Sequence, residues 1–126
     1  MSKGRGSASM NMVIVISMIC IFVIAKNTNA ETHKVGGPKG WTFGIVSWPN
    51  GKTFKAGDIL VFNYNAKLHN LVAVDENGYK RCKTPAGAQV LRTGNDEIEL
   101  ASGANYFICN VPGHCQTGMK ISINVD

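Results

Sequence analysis

Near its C-terminus the chain places two strand-forming runs, Tyr106–Cys109 (YFIC) and Ile121–Val125, on either side of a loop far longer than a tight hairpin turn. In the second run Ile121, Ile123 and Val125 alternate with Ser122 and Asn124, the period of a strand with one buried face. The loop, Asn110–Lys120 (NVPGHCQTGMK), carries Pro112, Gly113 and Gly118, so its path is set by turn residues. Within and beside it, Cys109, His114 and Met119 fall in a Cys-x4-His-x4-Met pattern. A loop of this length can fold its donor atoms back toward one point. Any fold for this chain must hold two strands so that the loop closes on itself.

The remaining chain supplies partners of the same kind. There is no internal repeat, no low-complexity segment and no long stretch with a 3.6-residue apolar period. Short β-type runs recur instead: Ile59–Tyr64 (ILVFNY), Leu71–Val74 (LVAV) and, more weakly, His33–Val35, Thr53–Phe54 and Glu97–Leu100. Turn signals stand between them at Gly36-Gly37-Pro38, Pro49-Asn50-Gly51, Ala56-Gly57-Asp58, Glu76-Asn77-Gly78 and Ser102-Gly103. About seven short strands at this spacing predict an all-β antiparallel sandwich. One short helix is expected near Asp75–Arg81.

The N-terminal part reads differently. Lys3 and Arg5 precede an uncharged apolar run, Met12–Ala25, and Thr28 and Ala30 place small residues at the −3 and −1 positions of a cut after Ala30. That is the order of a secretory signal peptide, and the run is shorter than the ~20 apolar residues of a membrane span. Residues 1–30 are therefore assigned to a cleaved leader and 31–126 to one domain. The leader takes Lys3, Arg5 and Lys26 from the 13 basic side chains and none of the 8 acidic ones, so the mature charge falls from +5 to about +2. The densest basic cluster, Lys80, Arg81 and Lys83, follows Asp75 and Glu76 and reads as a solvated face, not a nucleic-acid stripe.

Secretion also sharpens the cysteine count. Cys20 leaves with the leader, and Cys82, Cys109 and Cys115 allow one disulfide and one leftover thiol. Disulfides persist in the compartment that the leader implies. Taken singly, a methionine before a strand is core filling, a histidine is an ordinary surface or core residue, and Cys109 pairs with Cys82 or Cys115. Taken together, an odd thiol, two imidazoles (His69 and His114) and the thioether of Met119 form a metal donor set. A His2Cys plane with a weak axial Met is the set of blue-copper electron-transfer sites, whereas zinc sites use Cys, His and carboxylate without Met. No Asp or Glu lies in the loop to add a hard oxygen. If Cys109 is the copper thiolate, Cys82 is left to pair with Cys115, closing a loop of about 33 residues with an entropic effect of roughly 3–4 kcal/mol. The third mature histidine, His33, has no soft donor near it in sequence and reads as structural.

These residues resemble the phytocyanins, plant blue copper proteins, and among them the plantacyanin type. The likeness runs over the whole mature chain, through Val35-Gly36-Gly37, Gly40-Trp41-Thr42-Phe43, Ser47-Trp48-Pro49, Phe62-Asn63-Tyr64, His69-Asn70, Cys82-Lys83-Thr84-Pro85-Ala86-Gly87 and Tyr106 through Met119. It implies a cupredoxin-like Greek-key β-sandwich with one or two short helices. It implies one type 1 copper held by His69, Cys109, His114 and Met119, a Cys82–Cys115 bridge, and Asn70 as the residue that fixes the ligand loop behind the metal. Stellacyanin-like members carry Gln where Met119 stands, and early-nodulin-like members lack the ligands. The mature charge of about +2 departs from the "basic" character associated with the group.

The expected function is one-electron transfer through Cu(II)/Cu(I) by a secreted, extracellular monomer of the apoplast or cell wall. Four protein ligands leave no open position for a substrate, which argues against an enzyme. The chain stops at Asp126 directly after the last strand, so a free protein without a membrane anchor is expected. The edge of the His114 imidazole is the expected electron port, and an unspecified redox protein or small molecule the expected donor or acceptor. Two rivals stand beside this reading: an extracellular cell-wall or reproductive-tissue signalling or interaction protein with structural copper, and a plain disulfide domain without metal.

Overall fold

The structure is a computed structural model, and it describes residues 30–126. The leader assigned to residues 1–30 thus lies outside the described residues except for Ala30, which is exposed. Among the described residues no helix is long and apolar enough to cross a membrane.

Six strands form two three-stranded sheets. The first sheet has the order β1 (Thr32–Lys34), β2 (Ile59–Asn63), β4 (Asn95–Glu99). The second has the order β3 (Val72–Val74), β5 (Gly103–Ile108), β6 (Lys120–Val125). The chain therefore changes sheet between β2 and β3, again to β4, and again to β5, before the β5–β6 pair closes the second sheet. All pairings are antiparallel except β1 with β2, which run parallel with Thr32 opposite Ile59. The expected antiparallel sandwich is present, with this one parallel pair at its edge. The long connection from Val35 to Asp58 returns the chain in its original direction, which a parallel pair requires.

The strand alternation read from sequence is kept. Leu60 and Phe62 of β2, and Ile121, Ile123 and Val125 of β6, point into one core, where Trp41 meets Phe62 edge-on at 5.1 Å and Phe62 meets Phe107 at 5.2 Å. Full burial of one such apolar side chain is worth about 1.5–3 kcal/mol. The C-terminal end of strand β5 is buried on both faces. Phe107 joins this core, while Ile108 joins a smaller cluster with Val72 and Cys115. Packed against β3 and β5 is α1 (Glu76–Arg81), the short helix expected there. Asp75 caps it, its carboxylate accepting from the Gly78 N–H at 2.7 Å. Gly78 must be glycine, because a Cβ there would lie 2.7 Å from the Lys83 carbonyl oxygen.

Thr53–Phe54 forms no strand, so six strands replace the expected seven among the described residues. Phe54 is instead a plug, its ring 4.7 Å from that of His33 and 5.8 Å from that of Trp48. Its burial, not a sheet partner, explains the apolar residue at that position.

Candidate metal centre

The expected ligands sit on two connections, His69 on the crossing from β2 to β3 and the other three on the loop from β5 to β6. On the crossing Asn65 forms a tight turn: its side-chain oxygen accepts from the Lys67 N–H at 2.9 Å, and its carbonyl accepts from the Leu68 and His69 N–H groups at 3.0 Å. Cys109 directly follows β5, and its N–H donates to the Met119 carbonyl at 3.1 Å, so the two ends of the ligand loop are stitched together. Inside the loop, the Met119 N–H donates to the His114 carbonyl at 3.1 Å and the His114 N–H to that of Val111 at 3.0 Å. A short 3-10 turn, Cys115–Thr117, ends at Gly118 with φ 85°, in the left-handed region that glycine occupies without strain. Gly118 also lets a second segment approach. A Cβ there would lie 3.2 Å from the Gly44 Cα, and the Ile45 N–H donates to the Gly118 carbonyl at 3.1 Å.

The loop brings three donors together. The donor atoms of His69, Cys109 and His114 all lie within 4.8 Å of one another. His69 Nδ1 is 3.0 Å from His114 Nδ1, and Cys109 Sγ is 3.5 Å from the same His114 nitrogen. Cys109 and Met119 are fully buried and belong to the main core; His69 is buried and His114 partly exposed. Among the described residues no carboxylate joins the group. Burial, and then the facing His114, hold the His69 imidazole below its ordinary pKa, which favours the neutral form that a metal ligand needs. A buried thiol, two imidazoles and a buried thioether at the loop's end suit a soft to intermediate cation, and copper in particular.

Cys82 and Cys115 are joined in a disulfide, with Cα atoms 5.6 Å apart, and Cys109 is the free cysteine among the described residues. The bridge fastens the residue after His114 to the end of α1. Asn70 fastens the other side. Its side-chain oxygen accepts from the Asn110 N–H at 2.8 Å and its amide donates to the Asn110 side-chain oxygen. Asn110 in turn donates to Thr84 Oγ1 at 2.9 Å, and the Asn70 carbonyl accepts from Trp41 Nε1 at 2.9 Å. Reasoning from sequence found Asn70 but not Asn110 or Thr84. Their positions, directly after Cys109 and two residues after Cys82, were the available signal. It also missed the contacts of Phe43, whose ring stands 5.1 Å from that of His69 and 4.7 Å from that of His114. His33 is structural as expected, with Nε2 3.0 Å from Asp58 Oδ2.

This is a cupredoxin-type sandwich with a cysteine–histidine cluster where the β2–β3 crossing meets the β5–β6 loop. A family model described as a plastocyanin-like domain matches residues 41–119. The chain is 48% identical over 126 residues to a basic blue protein of Arabidopsis thaliana, covering 98% of each chain. It is 60% identical over 92 residues to the basic blue protein of Cucumis sativus, covering 73% of this chain and 96% of that one. The solved structure of cucumber basic protein, a blue copper protein, superposes with a TM-score of 0.74 at 57% identity, covering 75% of this chain and 99% of that one. The chain belongs to the plastocyanin-like family of blue copper proteins, as a phytocyanin of the basic blue protein (plantacyanin) type.

Proposed function

We propose that the chain is a secreted, extracellular type 1 copper protein that passes single electrons, with His69, Cys109, His114 and Met119 as the copper ligands. The observation that carries this reading is the convergence of the His69, Cys109 and His114 donor atoms within 4.8 Å, without a carboxylate, at the foot of the loop that ends in Met119. When bound, copper supplies the Cu(II)/Cu(I) couple. The chain's own residues do the rest. Cys109 and Met119 are fully buried, so water has no path to the metal from their side. The disulfide and the Asn70–Asn110 pair hold the loop rigid, so the donors keep their positions when the charge changes. His114 is the most exposed of the four donors, which makes its imidazole edge the electron port. A filled set of four protein ligands offers no position for a substrate, so the reading is of a carrier, not an enzyme.

Adding Cu(II) to the purified protein is expected to give an intense thiolate-to-copper band that disappears on reduction and is absent in Cys109→Ser. A colourless wild-type protein overturns the proposal. One observation also favours a partner-binding role. The large exposed apolar side chains among the described residues are Phe43 (44%), Val46 (44%) and Leu68 (57%). Phe43 packs on both imidazoles and Leu68 adjoins His69. They suit a redox protein docking over the port, or a signalling partner for which copper is structural. Full biological activity of the copper-free Cys109→Ser protein would decide for the second.

A further inference from the structure

The first residues of the domain end on a buried carboxylate. Asp58 is only 1% exposed, at the turn that leads into β2. Its Oδ2 accepts from His33 Nε2 and from the Lys55 N–H, both at 3.0 Å. Its Oδ1 accepts from the backbone nitrogen of Glu31 at 3.0 Å. The Ile59 N–H donates to the Glu31 carbonyl at 2.8 Å, and β1 then pairs in register with β2 from Thr32 opposite Ile59. The register thus fixes the Glu31 nitrogen against Asp58. In the uncut chain that nitrogen is a neutral amide, and two of the three groups that donate to the carboxylate are neutral backbone N–H groups.

The leader's cleavage pattern, with Thr28 and Ala30 at −3 and −1, cuts the bond that makes this nitrogen an amide. Ala30 and Glu31 are both exposed, so the bond is accessible. We propose that removal of the leader completes the fold: the new α-ammonium group of Glu31 pairs with buried Asp58, so cleavage after Ala30 locks β1 into place. The step is a hydrolysis by a secretory peptidase. Water adds across the Ala30–Glu31 peptide bond, Ala30 leaves as a carboxylate, and the Glu31 amine takes up a proton. A neutral donor on Oδ1 becomes a cation with three donors.

Only one terminus fits. A chain starting at Ala30 carries its charge one residue, about 3.8 Å of chain, farther along the exposed segment. A chain starting at Thr32 loses both the nitrogen on Asp58 and the carbonyl on Ile59. Burial pushes the Asp58 carboxyl up, yet the Glu31 N–H, His33 and the Lys55 N–H outweigh it and hold the group below the usual carboxylate value. The site is thus already tuned for a charged carboxylate.

The inference rests on the secretory reading of the leader, and its test separates the two. Secreted full-length chain is analysed for its N-terminal residue, which is expected to be Glu31; any other start overturns the proposal through its secretory premise. Independently, copper-loaded protein is prepared with three defined termini: Glu31 free, Glu31 with its α-amine acetylated, and Ala30 retained. An α-ammonium adds a Coulombic attraction to the Asp58 carboxylate that a neutral N–H lacks, so the two blocked chains are expected to show a folding constant about tenfold lower in urea unfolding. The same comparison in Asp58→Asn is expected to show no difference between the termini. Equal stability of free and acetylated Glu31 overturns the ion pair whatever the secreted terminus proves to be. That comparison keeps the chain length and the N–H donor, so it stands even if Asp58→Asn does not fold. A penalty of equal size in Asp58→Asn overturns it as well.

Discussion

Two histidine clusters in this molecule use the same side chain to opposite ends. Around His33, a buried carboxylate accepts from an imidazole and two backbone N–H groups, and the charge is met inside the protein. Around His69 and His114, two imidazole nitrogens face each other at 3.0 Å with a thiol 3.5 Å from one of them, and no carboxylate is present. Two such nitrogens share at most one proton between them, so lone pairs converge without enough internal donors. The difference lies in what is left unpaired. A self-satisfied cluster stabilises the fold, whereas a cluster of convergent lone pairs, held by a disulfide and an amide network, is an invitation to a cation.

Substitutions can break this comparison from either side. Asp58→Ala strips His33, Glu31 and Lys55 of their common acceptor. It is expected to lower stability by about 3–5 kcal/mol in urea unfolding, while the copper band of the folded fraction stays unchanged. Replacing Cys82 and Cys115 together by Ala is expected to cost roughly 3–4 kcal/mol, and here the metal end suffers too, because the residue after His114 loses its anchor. Asn70→Ala leaves the Asn110 N–H and side-chain oxygen without partners. About 1–3 kcal/mol of stability and 10–100-fold in copper affinity, read by competition with a chelator, are the expected losses. His114→Ala is the mirror of Asp58→Ala: the blue band disappears while apo stability changes by only about 0.5 kcal/mol, as for a partly exposed residue. The smallest effect comes from a third polar cluster. Burial, and then the hydrogen bond to Asp96, push the Tyr64 phenol up to about 12. The folded chain then holds a proton that the unfolded chain releases near pH 10, so this stabilisation is present below about pH 10 and lost as pH rises through about 12. A fall in melting temperature across that window, absent in Tyr64→Phe, is the expected reading.

Much of the fold could be read along the chain, for reasons visible in particular residues. The alternation of Ile121, Ile123 and Val125 with Ser122 and Asn124 survives as the inward and outward faces of β6. The capped helix after Asp75 formed where expected. Thr53–Phe54 misled because a buried aromatic looks alike in a strand and in a loop plug. The parallel β1–β2 pair was equally hidden, since pairing direction depends on how a long connection returns, not on the composition of either strand.

The copper centre divides along the same line. Donor chemistry belongs to the sequence: one thiol left over after pairing, two imidazoles and a thioether, with a Gly- and Pro-rich loop short of carboxylates. Those are properties of residue types and local spacing, and no fold can add or remove them. Convergence belongs to the tertiary structure. His69 meets Cys109 and His114 from 40 and 45 positions away, because the crossing after β2 ends beside the β5–β6 loop. The same holds for Phe43 on both imidazoles, for Thr84 behind Asn110, and for the Glu31 nitrogen on Asp58. Contacts between residues far apart in the chain depend on sheet order and register, and these are set by the packing of the whole core at once.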